Sequence, residues 1–208
     1  MCGVIGVHLD NPSKDDLKLV ERVFIESRIR GMHATGMSYA YNNRITTVIK
    51  TVPADVFVSS HAIPSMDKLR LIGHCRYSTS DLLYNQPLFN TEVAIVHNGV
   101  ISQELPENWS DLYGITTETK NDSELLLCTI GADPVKYWAN ASIAAIELHR
   151  KGAMKYYRNG KRPLYKTDLD NGYIITSTAD IMHRASNGKY SATVVECSSE
   201  KDLQWTLG

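Results

Sequence analysis

Short strand-like runs joined by tight turns dominate this 208-residue chain and constrain its fold more than any other feature. Asn42 and Asn43 separate two such runs, and asparagine tolerates the positive φ angles that a hairpin turn needs. Because hairpins join antiparallel strands, the pattern predicts an α+β protein and not a doubly wound parallel sheet. Three hairpins are predicted: residues 37–41 with 45–52, 142–149 with 153–158, and 163–166 with 173–176.

The first predicted helix begins after Ser13, whose side chain can cap it together with Asp16. Gly31 is expected to end this helix. Its apolar stripe should face the core and comprises Leu17, Val20, Val23, Phe24 and Ile29. Two more helices are predicted over residues 121–130 and 178–184, and four more strands over residues 3–8, 69–75, 93–97 and 190–196.

The composition suits a single cytoplasmic domain over residues 1–208. Hydrophobic residues make up 43% of the chain, which is enough for one sizeable core. A net charge of −1 and an isoelectric point near 6.6 suggest no nucleic acid and no membrane surface as partners. The first apolar run is too short for a signal peptide or a membrane span.

The cysteine pattern predicts reduced thiols and no bound metal. The four cysteines are widely scattered without a C-x-x-C pair, as expected for a protein of a reducing compartment. His74 and Cys75 are adjacent, and the chain lacks the second ligand pair that a structural zinc site needs.

Cys2 directly follows the initiator Met1 and can become the mature amino terminus, since methionine is usually removed before a small residue. Its thiol and the resulting α-amine have reference pKa values of about 8, so the amine can remove the thiol proton. A nucleophile that carries its own base is one route to covalent catalysis. The alternative is a small cysteine buried at the start of a strand.

Four further segments place polar groups at the ends of predicted elements, where a core does not need them. Singly, each has an ordinary explanation: a solvated arginine, an Asn-Gly turn, or an aspartate that caps a helix. The segments are residues 30–36, 73–79, 97–100 and 120–124.

Together with residues 2–6, and in this order, these segments resemble the class II glutamine amidotransferase domain of the N-terminal-nucleophile (Ntn) hydrolases. Residues 155–185 are similar to the late strands of that domain, most of all in asparagine synthetase. The resemblance implies a four-layer αββα sandwich of two mostly antiparallel sheets. It also implies a glutaminase that converts L-glutamine to glutamate and ammonia without a metal or an organic cofactor.

The resemblance gives five residues the main roles. Cys2 is the nucleophile that forms a γ-glutamyl thioester, and the amide of Asn98 and the backbone N–H of Gly99 stabilise the oxyanion. Arg76 clamps the α-carboxylate of the substrate, while Asp122 binds its α-ammonium group. Holding both ends brings the carboxamide within reach of the thiolate.

Three more residues receive supporting roles by the same resemblance. Arg30 supports the nucleophile end of the pocket, and His74 and Thr79 help to bind glutamine. For the last two, strand-end solvation and loop hydrogen bonding are the alternatives. The chain departs from the family pattern at residues 33–35, where an acidic residue is usual, and at Cys75, where threonine is common.

The recipient of the ammonia is expected to be a separate synthetase or transferase subunit, because the chain ends at Gly208, close to the end of the glutaminase domain in this family. Two alternatives are an amidohydrolase acting on another γ-glutamyl or amide substrate, and a non-catalytic scaffold subunit. Retention of all five main site residues argues against the scaffold. Trp109 and Trp138 could be exposed anchors for a partner, but ordinary packing is the favoured interpretation of both.

Overall fold

The structure of the chain, a computed structural model, describes residues 2–78, 83–197 and 205–206. Within these ranges, strands numbered in chain order form two sheets in which neighbouring strands run antiparallel. No helix of the described part is long and apolar enough to cross a membrane.

The first sheet contains β1 (Gly3–Asp10), β2 (Ala34–Tyr41), β3 (Arg44–Lys50), β4 (Lys68–Arg76), β9 (Tyr165–Leu169), β10 (Gly172–Thr176) and β11 (Thr193–Val194). Its strand order is β11-β9-β10-β1-β4-β2-β3. The second sheet contains β5 (Leu88–Phe89), β6 (Val93–His97), β7 (Ala144–His149), β8 (Met154–Arg158) and β12 (Trp205–Thr206). Its order is β12-β8-β7-β6-β5, and β1 and β4 lie in the middle of the first sheet.

Six α-helices occur in the described ranges: α1 (Lys14–Ser27), α2 (Ala54–Ser60), α3 (Trp109–Tyr113), α4 (Ser123–Cys128), α5 (Pro134–Tyr137) and α6 (Ala179–Ala185). Alternation along the strands divides the side chains between two faces of each sheet. In β1, Ile5 and Val7 face the helices, whereas Val4 faces the second sheet. Central strands buried on both faces therefore read as continuous apolar runs.

Three hydrophobic cores separate four layers. The first core lies between the first sheet and α1, α2 and α6 and includes Phe24. The second lies between the two sheets, where Ile72 of one sheet and Ile146 of the other are fully buried. The third lies between the second sheet and α3, α4 and α5 and includes Leu125. This arrangement is the predicted αββα sandwich.

The first helix begins as predicted and ends earlier. Ser13 forms a capping box at its start, but the α-helix ends at Ser27 and continues as a 3-10 turn over Arg28–Arg30. The 3-10 turn points Ile29 away from the core, and this side chain is 57% exposed. The assignment of Ile29 to the apolar stripe is therefore wrong. Gly31 ends the 3-10 turn rather than the helix.

The three predicted hairpins are present as β2–β3, β7–β8 and β9–β10. Asn42 and Asn43 adopt φ angles of 49° and 57°, as their place in the turn predicts. Two other predicted elements are shorter than expected. The helix predicted over residues 121–130 is confined to α4, and the strand predicted over residues 190–196 is confined to β11.

Trp109 and Trp138 are buried, at 2% and 6% exposure, so the favoured interpretation as packing residues is confirmed and the alternative of exposed docking anchors is wrong. Both indoles pack in the core under the second sheet. Trp109 Nε1 donates a hydrogen bond to the carbonyl of Glu104 at 3.1 Å, and Trp138 Nε1 donates to Thr129 Oγ1 at 3.0 Å. The N–H group of each indole is thus hydrogen-bonded inside the protein.

Candidate active site

A cleft of about 600 Å3 opens at the end of the sandwich where β1 begins and where β4 and β6 end. Because β1 and β4 are antiparallel neighbours, with Gly3 opposite Cys75, the start of one strand lies beside the end of the other. Five predicted site residues line this cleft, namely Cys2, His74, Arg76, Gly99 and Asp122. Segments that are far apart in the sequence therefore meet at one site.

Cys2 stands at the edge of the cleft with a free thiol. The residue is half-buried rather than sealed in the core. Its backbone nitrogen donates a hydrogen bond to Asn98 Oδ1 at 3.2 Å, and its Sγ lies 4.0 Å from the carbonyl oxygen of Tyr77. The sulfur is thus placed between the ends of β4 and β6 and remains accessible from the cleft.

Asn98 and Gly99 each carry an N–H donor that has no partner in the described part of the chain. Gly99 lines the cleft, whereas Asn98 is not a lining residue and is bonded to the Cys2 nitrogen at the cleft edge. The Asn98 side chain is buried, and its Nδ2 makes no hydrogen bond there. Asn98 pairs with Ala144, and Val100 pairs with Ser142, through reciprocal backbone hydrogen bonds. Successive N–H groups of a strand point to opposite sides, so the N–H of Gly99 points away from this partner strand.

The close backbone approach at this turn requires glycine. A Cβ atom added at Gly99 would lie 1.7 Å from the carbonyl oxygen of Ser142. It would also lie 2.6 Å from Nε2 of His97. Any larger residue would force the turn away from the strand that holds it, and the direction of the free N–H would change.

Arg76 is anchored on one side and open on the other. Its Nη1 donates hydrogen bonds to the carbonyl oxygen of Tyr84 and, at 2.9 Å, to Oδ1 of Asn85. The described residues make no hydrogen bond to Nε or Nη2 of this guanidinium. The remaining donors can therefore bind a carboxylate in the cleft with two parallel hydrogen bonds.

Asp122 precedes α4, yet its side chain does not cap that helix. Its Oδ2 instead accepts hydrogen bonds from the backbone nitrogens of Ile101 at 2.6 Å and Ser102 at 3.4 Å. The ordinary explanation of this aspartate as a helix cap is therefore excluded. One carboxylate oxygen is fixed by the loop, and the group faces the cleft.

His74 forms part of the cleft floor and is only 1% exposed. Burial lowers its pKa to about 3, and the nearby positive charge of Arg76 acts in the same direction. The imidazole is therefore neutral at physiological pH. It adds no positive charge beside the guanidinium.

The last two predicted site residues are placed differently. Arg30 is not among the cleft residues and lies next to the start of β1. A Cβ atom added at Gly3 would be 3.2 Å from the Cβ atom of Arg30. Partial burial lowers the pKa of Arg30, and the neighbouring Cys2 opposes this shift. Thr79 lies outside the described residues, so its role stays a prediction.

Three buried polar side chains in the wall of the cleft had no role in the sequence analysis. Gln86, His97 and Ser123 are between 2% and 5% exposed and hydrogen-bond to one another. His97 and Ser123 lie inside the polar segments identified from the sequence, but only their neighbours were assigned. A polar residue at the end of an apolar strand was the available signal.

The described residues contain no group of three His, Cys, Asp or Glu side chains that could hold a metal ion. All four cysteines are free: Cys2, Cys75, Cys128 and Cys197. Burial raises the pKa of Cys75 to about 12, so this thiol stays protonated beside the cleft.

Comparison with known proteins finds relatives among solved structures alone. No family model and no curated protein matches the sequence. The glutamine phosphoribosylpyrophosphate (PRPP) amidotransferase from B. subtilis, complexed with ADP and GMP, superposes with a TM-score of 0.73 at 16% identity. The match covers 99% of this chain and 48% of that protein.

Two further structures show the same likeness. An allosteric regulatory enzyme of purine biosynthesis matches 94% of this chain and 45% of its own length, with a TM-score of 0.70 and 18% identity. A glutamine aminotransferase class-II domain protein from Silicibacter pomeroyi has a TM-score of 0.55 at 11% identity, and the match covers 95% of this chain and 92% of that one.

These likenesses define the fold of the chain. It is the Ntn-hydrolase fold of class II glutamine amidotransferase domains, as the sequence resemblance predicted. The chain spans about half the length of the first two proteins, with 48% and 45% of them covered.

Proposed function

We propose that this chain is a glutaminase of the class II amidotransferase type, which hydrolyses L-glutamine to glutamate and ammonia with Cys2 as the nucleophile. The observation that carries the proposal is the double role of Asn98. Its Oδ1 accepts the hydrogen bond from the Cys2 nitrogen, while its Nδ2 is buried without a partner. An unpaired donor beside a free thiol is the arrangement that an oxyanion would complete.

Substrate binding rests on the two charged groups across the cleft. Nε and Nη2 of Arg76 donate no hydrogen bond to the described residues, and Asp122 faces the same cleft with one oxygen fixed. An α-amino acid presents one carboxylate and one ammonium group, so this pair matches its charges. Fixing both groups orients the side-chain carboxamide toward Cys2.

The proposed chemistry uses groups of the chain alone. After removal of Met1, the free α-amine of Cys2 takes the thiol proton, and the thiolate attacks the carboxamide carbon. The carbonyl oxygen becomes an oxyanion that accepts hydrogen bonds from Asn98 Nδ2 and the Gly99 N–H. The C–N bond then breaks, the amine returns the proton to the departing nitrogen, and ammonia leaves. Water hydrolyses the γ-glutamyl thioester to glutamate and regenerates the thiol.

The supporting residues act on this machinery indirectly. Arg30 contributes positive charge near the thiolate, and neutral His74 forms the floor under Arg76. Thr79 belongs to the same segment as Arg76 in the sequence and would complete the glutamine-binding loop.

The direct test is release of glutamate from glutamine by the purified chain. Cys2→Ala is expected to abolish turnover, because no other group can form the thioester. Cys197→Ser is the matched control, since this exposed thiol lies outside the cleft and its loss should leave the rate unchanged. Activity that survives Cys2→Ala contradicts the proposal. Turnover of another γ-glutamyl amide in place of glutamine would retain the mechanism and replace the substrate.

The same proposal includes a single domain over residues 1–208, a cytoplasmic location and a separate ammonia-accepting synthetase or transferase. The support for an acceptor is chemical, because ammonia released into water is protonated and lost as a nucleophile. A pull-down from the native host identifies candidates. Glutamine labelled with 15N in its amide then tests each one, since the true acceptor should incorporate the label only when the active chain is present.

A further inference from the structure

Three buried side chains in the wall of the cleft close a ring of hydrogen bonds. The backbone N–H of His97 donates to Gln86 Oε1 at 2.6 Å. Gln86 Nε2 donates to Ser123 Oγ at 3.0 Å, and Ser123 Oγ lies 2.9 Å from His97 Nδ1. At 5%, 2% and 2% exposure, the three residues are shielded from water that could replace these bonds. We call Gln86, His97 and Ser123 the polar ring.

The direction of every hydrogen bond in the polar ring is determined. His97 Nε2 lies 3.1 Å from the carbonyl oxygen of Ser142, which can only accept, so Nε2 carries the proton. His97 Nδ1 is then an acceptor and must receive the hydroxyl proton of Ser123. Burial lowers the pKa of His97, which keeps the ring in this neutral state. Because each hydrogen bond in the polar ring has only one possible donor and acceptor, the ring holds its members in one geometry.

Each member of the polar ring is the direct neighbour in sequence of a residue in the proposed machinery. His97 precedes Asn98, the oxyanion donor, and Ser123 follows Asp122, the ammonium ligand. Gln86 follows Asn85, whose Oδ1 anchors Arg76 at 2.9 Å. These three parts come from β6, from the start of α4 and from the loop before β5, and within the described residues no single element carries all of them.

A second link strengthens the connection between the loop and the helix. Asn121 Nδ2 donates to the carbonyl oxygen of Tyr84 at 3.0 Å, and the same oxygen accepts a hydrogen bond from Arg76. Asn121 Oδ1 accepts from the backbone nitrogen of Ser123 at 3.1 Å. The loop residues that hold the guanidinium are thus tied to the helix that holds the carboxylate.

We propose that the polar ring is the positioning device of the active site: it sets the separation between the oxyanion donors and the two charged groups that hold the substrate. Its members form part of the cleft wall, but their polar side-chain atoms bond to one another and to the Ser142 carbonyl. They act through their neighbours in sequence and are therefore positioning residues. The inference rests on the proposed glutaminase function. Displacement of reacting groups by about 1 Å can cost on the order of a hundredfold in rate, so such a device has a measurable effect.

Ser123→Ala tests the ring, because it removes the one atom that both accepts from Gln86 and donates to His97. We expect kcat for glutamine to fall by about tenfold to a hundredfold, with a much smaller change in KM. Ser123→Thr retains the hydroxyl and should restore most of kcat. The rate of Cys2 alkylation by iodoacetamide should be unchanged, since this reagent needs the thiolate and no binding of an amino acid.

Ser38→Ala is the matched control. Ser38 is fully buried on β2, and its hydroxyl bonds to Thr47 Oγ1 at 2.7 Å, away from the cleft. It should lose stability as Ser123→Ala does, without the fall in kcat. If the polar ring had only a structural role, Ser123→Ala would lower the unfolding free energy, as Ser38→Ala does, and would leave kcat unchanged.

The outcomes separate this inference from the proposed function. An active wild type in which Ser123→Ala keeps kcat, or in which Ser38→Ala lowers it equally, contradicts the positioning role alone. A His97 imidazole with its proton on Nδ1, observed by 15N NMR, also contradicts it. A wild type that neither hydrolyses glutamine nor reacts at Cys2 with a glutamine analogue contradicts both proposals.

Discussion

At the scale of single residues, the two ends of the Asn98 amide have different partners. The amide oxygen holds the Cys2 nitrogen, and the amide Nδ2 is buried without a partner. Leaving a buried donor unpaired costs roughly 1–3 kcal/mol. In the proposed reaction, the oxyanion would relieve that cost, so the interaction would be stronger in the transition state than in the ground state.

Asn98→Asp separates the two roles of this side chain. It keeps an oxygen for the Cys2 nitrogen and replaces the donor with a second oxygen. We expect kcat for glutamine to fall by about a hundredfold to a thousandfold, with little change in KM. Steady-state kinetics measures both constants, and a denaturation curve checks folding. A variant with near-normal kcat and a native unfolding transition would exclude Asn98 from oxyanion stabilisation.

At the scale of elements, the contact between the end of the first helical segment and the end of β4 determines where the guanidinium sits. Gly31 lies so close to the β4 backbone that an added Cβ would be 2.2 Å from the carbonyl carbon of Arg76 and 2.4 Å from the nitrogen of Tyr77. The backbone nitrogen of His33 also donates to the Arg76 carbonyl at 3.0 Å. The two segments therefore hold each other in register.

Gly31→Ala is expected to move the end of β4 and to raise KM for glutamine by about tenfold or more, because the clamp shifts. Stability should fall by about 1–3 kcal/mol, as for other overpacked sites. Gly73→Ala is the control on the same strand: its Cβ would meet the Phe24 ring at 2.4 Å, in the core under the helices. Equal changes of KM in both variants would refute the register argument.

The elements also show what the sequence can predict. The β2–β3 hairpin was predictable because its turn chemistry is local to Asn42 and Asn43. The length of α4 and the burial of Trp109 depend on packing between distant segments, which no local pattern contains. The same reason explains the site. The polar segments were recognised from the sequence only in combination, and no local pattern shows that the polar ring joins side chains up to 37 positions apart.

At the scale of the whole molecule, the sandwich buries titratable groups between its sheets and so makes stability depend on pH. The pKa of His74 falls from 6.5 to about 3 because the residue is buried. In the unfolded chain, this histidine binds a proton below about pH 6.5. The unfolded state therefore binds more protons between about pH 6.5 and 3, and stability falls as pH decreases through this window.

His74→Asn should remove this contribution. The wild type should lose up to about 1.4 kcal/mol of unfolding free energy per pH unit from this one group below pH 6.5, and the variant should show a shallower dependence. Urea denaturation between pH 7 and 5 measures the slopes. His183→Asn, on an exposed position of α6, should keep the wild-type slope. Identical slopes in wild type and His74→Asn would contradict a neutral buried imidazole.

The most direct test of the account is the reaction of the purified protein with the glutamine analogue 6-diazo-5-oxonorleucine, followed by peptide mapping with mass spectrometry. The account predicts that Met1 is absent, that one adduct forms on Cys2, and that glutamine slows its formation. Active protein that retains Met1, or an adduct on Cys128 or Cys197 with Cys2 unmodified, would contradict an amino-terminal cysteine nucleophile.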